Sequence, residues 1–267
     1  MSGFAIIIPA RYASTRYPGK PLVPLRGVDG VSKTLIQRSW ECASAVPGCI
    51  GVWVATDDDR IATEVERFGG QVAMTSPDCA NGTERCAEAM SQIGDVADVI
   101  VNLQGDAPLS PSFVVQRLVD RLAEDESAAM ATPAVACSRS TYEHLLADRA
   151  AGRVGGTTVV FNRAYHAMYF SKEVIPYVPP AETGETVAPV HLHLGLYAYR
   201  QAALERYRKA PPSRLERLEG LEQLRFFDLD MPISIVEVEP LDWDPIELNN
   251  PGDVPIIERI LQQRAIR

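Results

Sequence analysis

The stretch Phe4–Ile8, FAIII, places five apolar residues in succession. A strand with one wet face would alternate, because successive side chains point to opposite sides of the pleat. A strand apolar on both sides needs cover on both sides, and helices crossing a parallel sheet supply it. The rest of the first half fits that constraint. Helical spacing predicts a helix over Ser32–Ala45 with Ser32 as its N-cap. Strand Ile50–Ala55 follows, then a helix from about Asp58 to Phe68 that stops at Gly69 and Gly70. A short strand at Val72–Thr75, a helix at Thr83–Ile93 and a strand at Asp98–Leu103 continue the alternation. Pro111 opens a further helix reaching about Ala123. The expected fold class is α/β, a Rossmann-like, mostly parallel, doubly wound sheet.

The second half changes character. Thr157–Phe161, Ala167–Phe170 and His193–Tyr199 read as strands, and Gln201–Tyr207 and Arg214–Leu224 as helices. A strand at Ile233–Val238 and a helix from Asp253 complete the chain. Pro176–Val190, rich in Pro, Glu and Thr, reads as a mobile loop. The expectation is one domain over 1–267 with an inserted antiparallel flap at about 150–200, not two independent domains.

Composition narrows the function. Hydrophobic residues form 46% of the 267, ample for a buried core. No run reaches the roughly 18 apolar residues that a membrane helix needs. The first strand begins without a cleavable leader, which predicts a cytoplasmic protein. A net charge of −9 argues against nucleic-acid and anionic-membrane partners. The five scattered cysteines form no CxxC pair and read as free thiols.

In open α/β sheets ligands bind beyond the carboxyl ends of strands, and three such ends carry polar groups. After the first strand, ARYASTRYPGK holds Arg11, Arg16 and Lys20, whose charges suit a polyphosphate. A solvated loop is the alternative, and the spacing is not that of a Walker A loop. NLQGDAP, Asn102–Pro108, sets Asp106 in a glycine turn, where it could hold a divalent cation or cap its own turn. NGTERC, Asn81–Cys86, opens a helix whose N–H groups, with Thr83 and Arg85, suit a base or an anion, or form a plain cap.

The motifs IIPARYASTRYPGKPL, VATDDDRI, FGGQVAMTS, NGTERCAE, VNLQGDAPL, HLGLYAYR and LEQLR occur in that order. Together they span roughly residues 4–262, and the series resembles that of the Kdo (3-deoxy-manno-octulosonate) cytidylyltransferases. The resemblance implies a nucleotidyltransferase fold, CTP as donor, Mg²⁺ as cofactor, a small anionic acceptor and usually a homodimer. The acceptor would attack the α-phosphate, giving a CMP conjugate and pyrophosphate. By position, Arg11, Ser14, Arg16 and Lys20 would hold the triphosphate, and Asn81, Gly82, Thr83 and Gln104 would contact cytidine. Pro9, Ala10 and Arg85 would also bind the nucleotide, Asp106 would bind metal, and Arg11, Lys20 and Asp106 would be catalytic. Lys172, His193, Tyr197, Glu222 and Gln223 would line the acceptor pocket. Otherwise His193 is a core histidine donating to backbone, and Glu222 and Gln223 a solvated helix face.

Four positions depart from that series. Ala107 stands where the family has glutamate in QGDEP, NGTER replaces SGTDR, and Lys172 replaces an arginine. LNNPGDV replaces VDTPEDL, so Asn249 occupies the position of the second metal aspartate, with Asp242, Asp244 or Glu247 as nearby substitutes. An amide ligates a hard cation without the charge, whereas a sugar hydroxyl benefits from metal activation. A phosphonate oxygen is already anionic and needs cations to offset repulsion; Lys172, Arg153 and Arg163 could provide them, although the two arginines also read as surface charge. On this reasoning the first expectation is a cytidylyltransferase acting on a small phosphonate such as phosphonoformate. The alternative is Kdo or an amino analogue, and a second alternative is a non-catalytic, nucleotide-binding regulatory relative.

Overall fold

The structure, a computed structural model, describes residues 3–14, 16–179, 182, 187–239 and 246–267. Contacts divide the chain into two compact units, one of Met1–Gln116 with Leu241–Arg267 and one of Arg117–Pro240.

The first unit contains β1 (Phe4–Ala10), a small antiparallel pair β2 (Pro24–Arg26) and β3 (Ser32–Thr34), β4 (Cys49–Thr56), β5 (Gln71–Met74) and β6 (Val99–Asn102). The order β5-β4-β1-β6 is parallel throughout. Ala5, Ile6, Ile7 and Ile8 of β1 are fully buried, as an apolar run at the centre of a parallel sheet requires. Helices α1 (Leu35–Ser44), α2 (Asp59–Arg67), α3 (Gly82–Ile93) and α4 (Ser112–Glu124) fall between and after these strands. The expected helix over Ser32–Ala45 starts later. Ser32–Thr34 pairs with Pro24–Arg26, and Thr34, not Ser32, caps α1 by accepting from Gln37 N at 3.3 Å.

The second unit is built on β7 (Met130–Ser138), followed by α5 (Arg139–Ala150), β8 (Thr158–Phe161), β9 (Ala167–Ser171), β10 (Val187–His193) and β11 (Tyr197–Arg200). Then come α6 (Gln201–Lys209), α7 (Arg214–Glu219), α8 (Leu224–Asp228) and β12 (Ile233–Val238). β10 and β11 pair antiparallel with β7, while β12 pairs with it in parallel. The last helix, α9 (Val254–Gln263), returns to the first unit, where Ile257, Ile260 and Leu261 pack with Leu25, Leu35 and Leu248.

Three expectations change in the second unit. β7 and α5 carried no sequence signal, because Pro133 and several alanines interrupt the apolar pattern; Pro133 nonetheless pairs with Val236. The expected strand His193–Tyr199 is the end of β10 and the start of β11, separated at Leu194–Leu196. The expected helix Arg214–Leu224 breaks at Gly220, whose φ of 62° is left-handed, as glycine permits at a helix stop. Of the proposed mobile loop, residues 180–181 and 183–186 lie outside the described residues, as do Asp242 and Asp244. All five cysteines are free thiols. Among the described residues no helix is long and apolar enough to cross a membrane.

Candidate functional site

The first unit holds a cavity of about 290 Å³ beyond the carboxyl ends of β1 and β6. Pro9 and Ala10 line it from the end of β1, and Arg11, Ser14, Arg16 and Lys20 from the segment that follows. Asn81, Gly82 and Arg85 line it from the start of α3, and Gln104 and Asp106 from the turn after β6. Thr83 does not join them. It sits in the first turn of α3 at 1% exposure.

Local chemistry explains the shape. Gly19, at φ 72°, lets the first loop turn into a short 3-10 segment that begins at Lys20. Asn81 caps α3, its side chain accepting from Glu84 N at 2.8 Å. A Cβ on Gly82 would lie 3.3 Å from Asn102 Nδ2 and 3.4 Å from Pro9 Cγ, and one on Gly105 only 2.8 Å from Pro9 O. Both glycines therefore admit a close approach of the strand-end loops. Gln104 Nε2 donates to Asn102 Oδ1 at 3.2 Å, which orients the amide at the cavity wall. Arg85 lines the cavity, but its buried guanidinium donates to Thr75 Oγ1 at 2.6 Å and Asp57 Oδ2 at 3.0 Å. It ties α3 to the ends of β4 and β5.

Charge concentrates at the other end of the cavity. Lys20 Nζ lies 2.5 Å from Asp106 Oδ2. Arg16 Nη2 donates to Asn249 Oδ1 at 2.9 Å, and Asn249 Nδ2 to Glu247 Oε2 at 3.4 Å. The backbone bond from Leu248 N to Asp106 O, 2.9 Å, fixes this distant segment beside the Asp106 turn. Glu247 and Asn249 both line the cavity. Burial, and then the charge of Asp106, push the Glu247 carboxyl above its ordinary range, with Asn249, Lys20 and Arg16 opposing. Asn249 thus faces the site, and Glu247 adds a second carboxylate that the sequence offered only as one of three candidates.

The acceptor residues expected from the sequence belong to the second unit. His193, Tyr197 and Gln223 are buried at 9%, 5% and 1% exposure, so Gln223 is not a solvated helix face. Tyr197 Oη donates to Gln223 Oε1 at 3.5 Å, and the His193 and Tyr197 rings lie 5.5 Å apart. Thr132 Oγ1 donates to Leu196 O at 2.8 Å, so the same oxygen accepts from His193 Nε2 at 2.8 Å. That tautomer leaves Nδ1 as an acceptor. Full burial holds the His193 pKa down to about 3. Gln223 Nε2 is a buried donor without a hydrogen-bond partner among the described residues. Its position depends on a buried ion pair, in which Arg225 bonds both oxygens of Glu216 at 2.7 and 2.6 Å across the helix break at Gly220. Lys172 packs on the helix break at Gly220. Its backbone N–H donates to Glu219 Oε2 at 3.0 Å, and its amine rests where a Cβ on Gly220 would be, 2.8 Å away. The Glu222 backbone oxygen accepts from Tyr207 Oη at 3.2 Å. Arg153 is paired with Asp148 at 2.6 Å, and Arg163 is exposed.

The cavity thus combines convergent cations, two carboxylates and amide groups at a helix N-terminus, which suits a nucleotide polyphosphate with a hard cation. The family described as cytidylyltransferase matches residues 5–233. A 3-deoxy-manno-octulosonate cytidylyltransferase of Maricaulis maris is 44% identical over 96% of this chain and 95% of its own. An 8-amino-3,8-dideoxy-manno-octulosonate cytidylyltransferase of Shewanella sediminis is 37% identical over 95% and 96%. A CMP:2-keto-3-deoxy-manno-octonic acid synthetase solved in complex with CTP superposes with a TM-score of 0.84, at 35% identity. It covers 98% of this chain and 100% of that one.

Proposed function

Because this chain belongs to the 3-deoxy-manno-octulosonate cytidylyltransferase family, a CTP-dependent group of nucleotidyltransferases, we propose that it transfers CMP from CTP to 3-deoxy-manno-octulosonate. The products are the CMP-sugar and pyrophosphate. The observation that carries the acceptor is the neutral, buried set of His193, Tyr197 and Gln223, with the unpartnered Gln223 Nε2 at its centre. A polyhydroxylated sugar acid supplies the hydroxyl oxygens that such a donor needs. A phosphonate dianion calls for several cations, whereas His193, Tyr197 and Gln223 are neutral and the nearby buried Arg225 is already paired with Glu216.

The phosphonate expectation also loses its premise. It rested on a carboxylate missing at Asn249, yet Glu247 stands beside Asp106 in the same cavity, and the relatives named above are enzymes of sugar acids. Against the non-catalytic alternative stand Arg11, Lys20 and Asp106, which are retained and line one cavity.

In this reading Arg11, Arg16 and Lys20 bind the triphosphate and offset the charge that grows on the leaving pyrophosphate. Asn81, Gly82 and Gln104 place the base, and His193, Tyr197 and Gln223 bind the acceptor; the reaction is attack of an acceptor hydroxyl on the α-phosphorus with loss of pyrophosphate. Asp106 and Glu247, with the Asn249 amide oxygen, are hard oxygen donors that fit Mg²⁺. No three acidic, histidine or cysteine side chains cluster as a metal cage among the described residues. Mg²⁺ commonly uses one or two carboxylates and completes its shell with substrate phosphates and water. When bound, Mg²⁺ supplies Lewis-acid polarisation of phosphoryl oxygens. The test is pyrophosphate release from CTP with 3-deoxy-manno-octulosonate, its 8-amino analogue and phosphonoformate in parallel. The sugar acid should be turned over fastest; release with phosphonoformate alone would sink the proposal.

A further inference from the structure

Tyr12 and Arg60 line no part of the nucleotide cavity, yet they meet in a stack. The Arg60 guanidinium carbon lies 3.3 Å from the centroid of the Tyr12 ring. Each residue is held from behind. Arg60 is gripped by Asp58, with Nε to Oδ1 at 2.9 Å and Nη2 to Oδ2 at 2.6 Å. Asp58 is in turn the N-cap of α2, its side chain accepting from Arg60 N at 3.0 Å. Tyr12 closes the base of the phosphate-side loop: its carbonyl accepts from both Ser14 N and Gly19 N at 2.9 Å. Gly19 also packs on the hydroxyl end of the ring, where an added Cβ would come within 2.9 Å of Cζ.

The topology explains why these two residues meet. β1 and β4 are neighbouring parallel strands with Ala10 opposite Thr56. Tyr12 and Asp58 each lie two residues past that matched pair, on adjacent loops. The chain Asp58–Arg60–Tyr12–Gly19 therefore runs from a helix N-terminus, through an ion pair and a cation–π contact, to the turn that precedes Lys20. Between its ends lie Ser14 and Arg16, with Arg11 just before. Among the described residues of the loop the other internal bonds are long, Tyr17 N to Ser14 Oγ at 3.4 Å and Lys20 N to Tyr17 O at 3.3 Å.

We propose that Arg60 and Tyr12 form a clamp that positions the loop Arg11–Lys20 for the triphosphate, acting through the loop and touching neither CTP nor the acceptor. A loop already held in its binding conformation spares the ordering cost on ligand binding. When the clamp is opened, only a fraction of molecules is competent, and the apparent Kd rises by the inverse of that fraction. Once CTP is bound, the loop is ordered by the ligand, so the chemical step is little changed. The inference rests on CTP as the donor and is independent of the acceptor.

The experiment is calorimetric titration of the full chain with CTP in the absence of acceptor, alongside kcat and KM with an acceptor that turns over. Arg60 is an exposed side chain (58%), so Arg60→Ala should fold with an unchanged melting temperature. It should raise the Kd and KM for CTP about 3–5-fold, the scale of an exposed cation–π contact, and leave kcat within about twofold. Tyr12→Phe keeps the ring and should match the parent; Tyr12→Leu should behave as Arg60→Ala, and the double variant should be no worse than Tyr12→Leu alone. CTP binding by Arg60→Ala at the parent level, fully additive losses, a loss in Tyr12→Phe, or a fall in kcat with binding intact would each overturn the clamp. A parent protein that fails to bind CTP would instead overturn the reading of the donor.

Discussion

The two units hold their polar groups in opposite ways. In the first, Arg16, Lys20, Asp106 and Glu247 are ionisable groups that face a cavity, Lys20 bonding Asp106 while Asn249 bridges Arg16 and Glu247. In the second, His193, Tyr197 and Gln223 are neutral and almost wholly buried. Ions are expensive to bury unless something pairs them, so a site for a polyphosphate stays open and lets its own charges hold one another until the ligand replaces them. A site for hydroxyl groups has no such constraint, and it can be dry. On the proposed reading the difference separates the two substrates by chemistry, with charge selecting the nucleotide and neutral hydrogen bonds selecting the sugar acid.

The strongest way to break this contrast is Asp106→Asn. Loss of a carboxylate where charge develops should lower kcat/KM about 10³-fold, or ~4 kcal/mol, in a steady-state assay. Near-normal turnover would reduce Asp106 to a turn residue. In the second unit, Arg225→Met leaves the buried Glu216 carboxylate without its counter-ion, and should cost about 3 kcal/mol in chemical denaturation. A cost below about 1 kcal/mol would show that the break at Gly220 relaxes without the ion pair.

Gln223→Leu sharpens the comparison further, because its two readouts diverge. Removing a buried amide whose Nε2 is unpartnered and whose Oε1 accepts a long 3.5 Å bond from Tyr197 Oη should change stability by less than about 1 kcal/mol, while the KM for the acceptor rises about 10-fold. Affinity for CTP, which belongs to the charged unit, should not move. Equal losses in both affinities would contradict the division of labour. His193 adds a pH test. Its pKa is near 3 in the folded chain against about 6.5 unfolded, so the unfolded state binds the proton first. The stabilisation is present above pH 6.5 and is lost on acidification towards pH 3, by at most about 1.4 kcal/mol per pH unit. His193→Gln should flatten that part of the profile, as read from melting temperatures. The smallest effect is expected of Asn249→Asp. An extra carboxylate beside Asp106 should lower the Mg²⁺ concentration for half-maximal activity about 3-fold. Unchanged dependence would remove position 249 from the metal argument.

Legibility followed the range of the interactions. The strands and helices of the first unit were readable because a buried parallel sheet imposes continuous apolar runs and the helices carry their own caps, such as Asp58 and Asn81. Boundaries slipped where pairing overrode propensity, as when Ser32–Thr34 became a strand. β7 was invisible, since Pro133 within a run of small residues looks unlike a strand. Only its neighbours β10, β11 and β12 explain it. Among site residues, the loop carrying Arg11 to Lys20 and the turn at Asp106 stood out as charge at strand ends. The tie between Arg85 and Asp57 had no local signal, and neither did the burial of Gln223.

From the order of its residues alone, this protein was bound to build a parallel sheet with a cationic loop after the first strand, because both are written in contiguous segments. Which carboxylate joins Asp106, and whether His193 is charged or neutral, were decided only in three dimensions. Glu247 reaches the cavity through a backbone bond between residues 106 and 248. His193 is held neutral by burial among side chains from other strands, Phe170 of β9 and Tyr197 of β11. Both depend on desolvation and long-range packing, which no short stretch of sequence encodes.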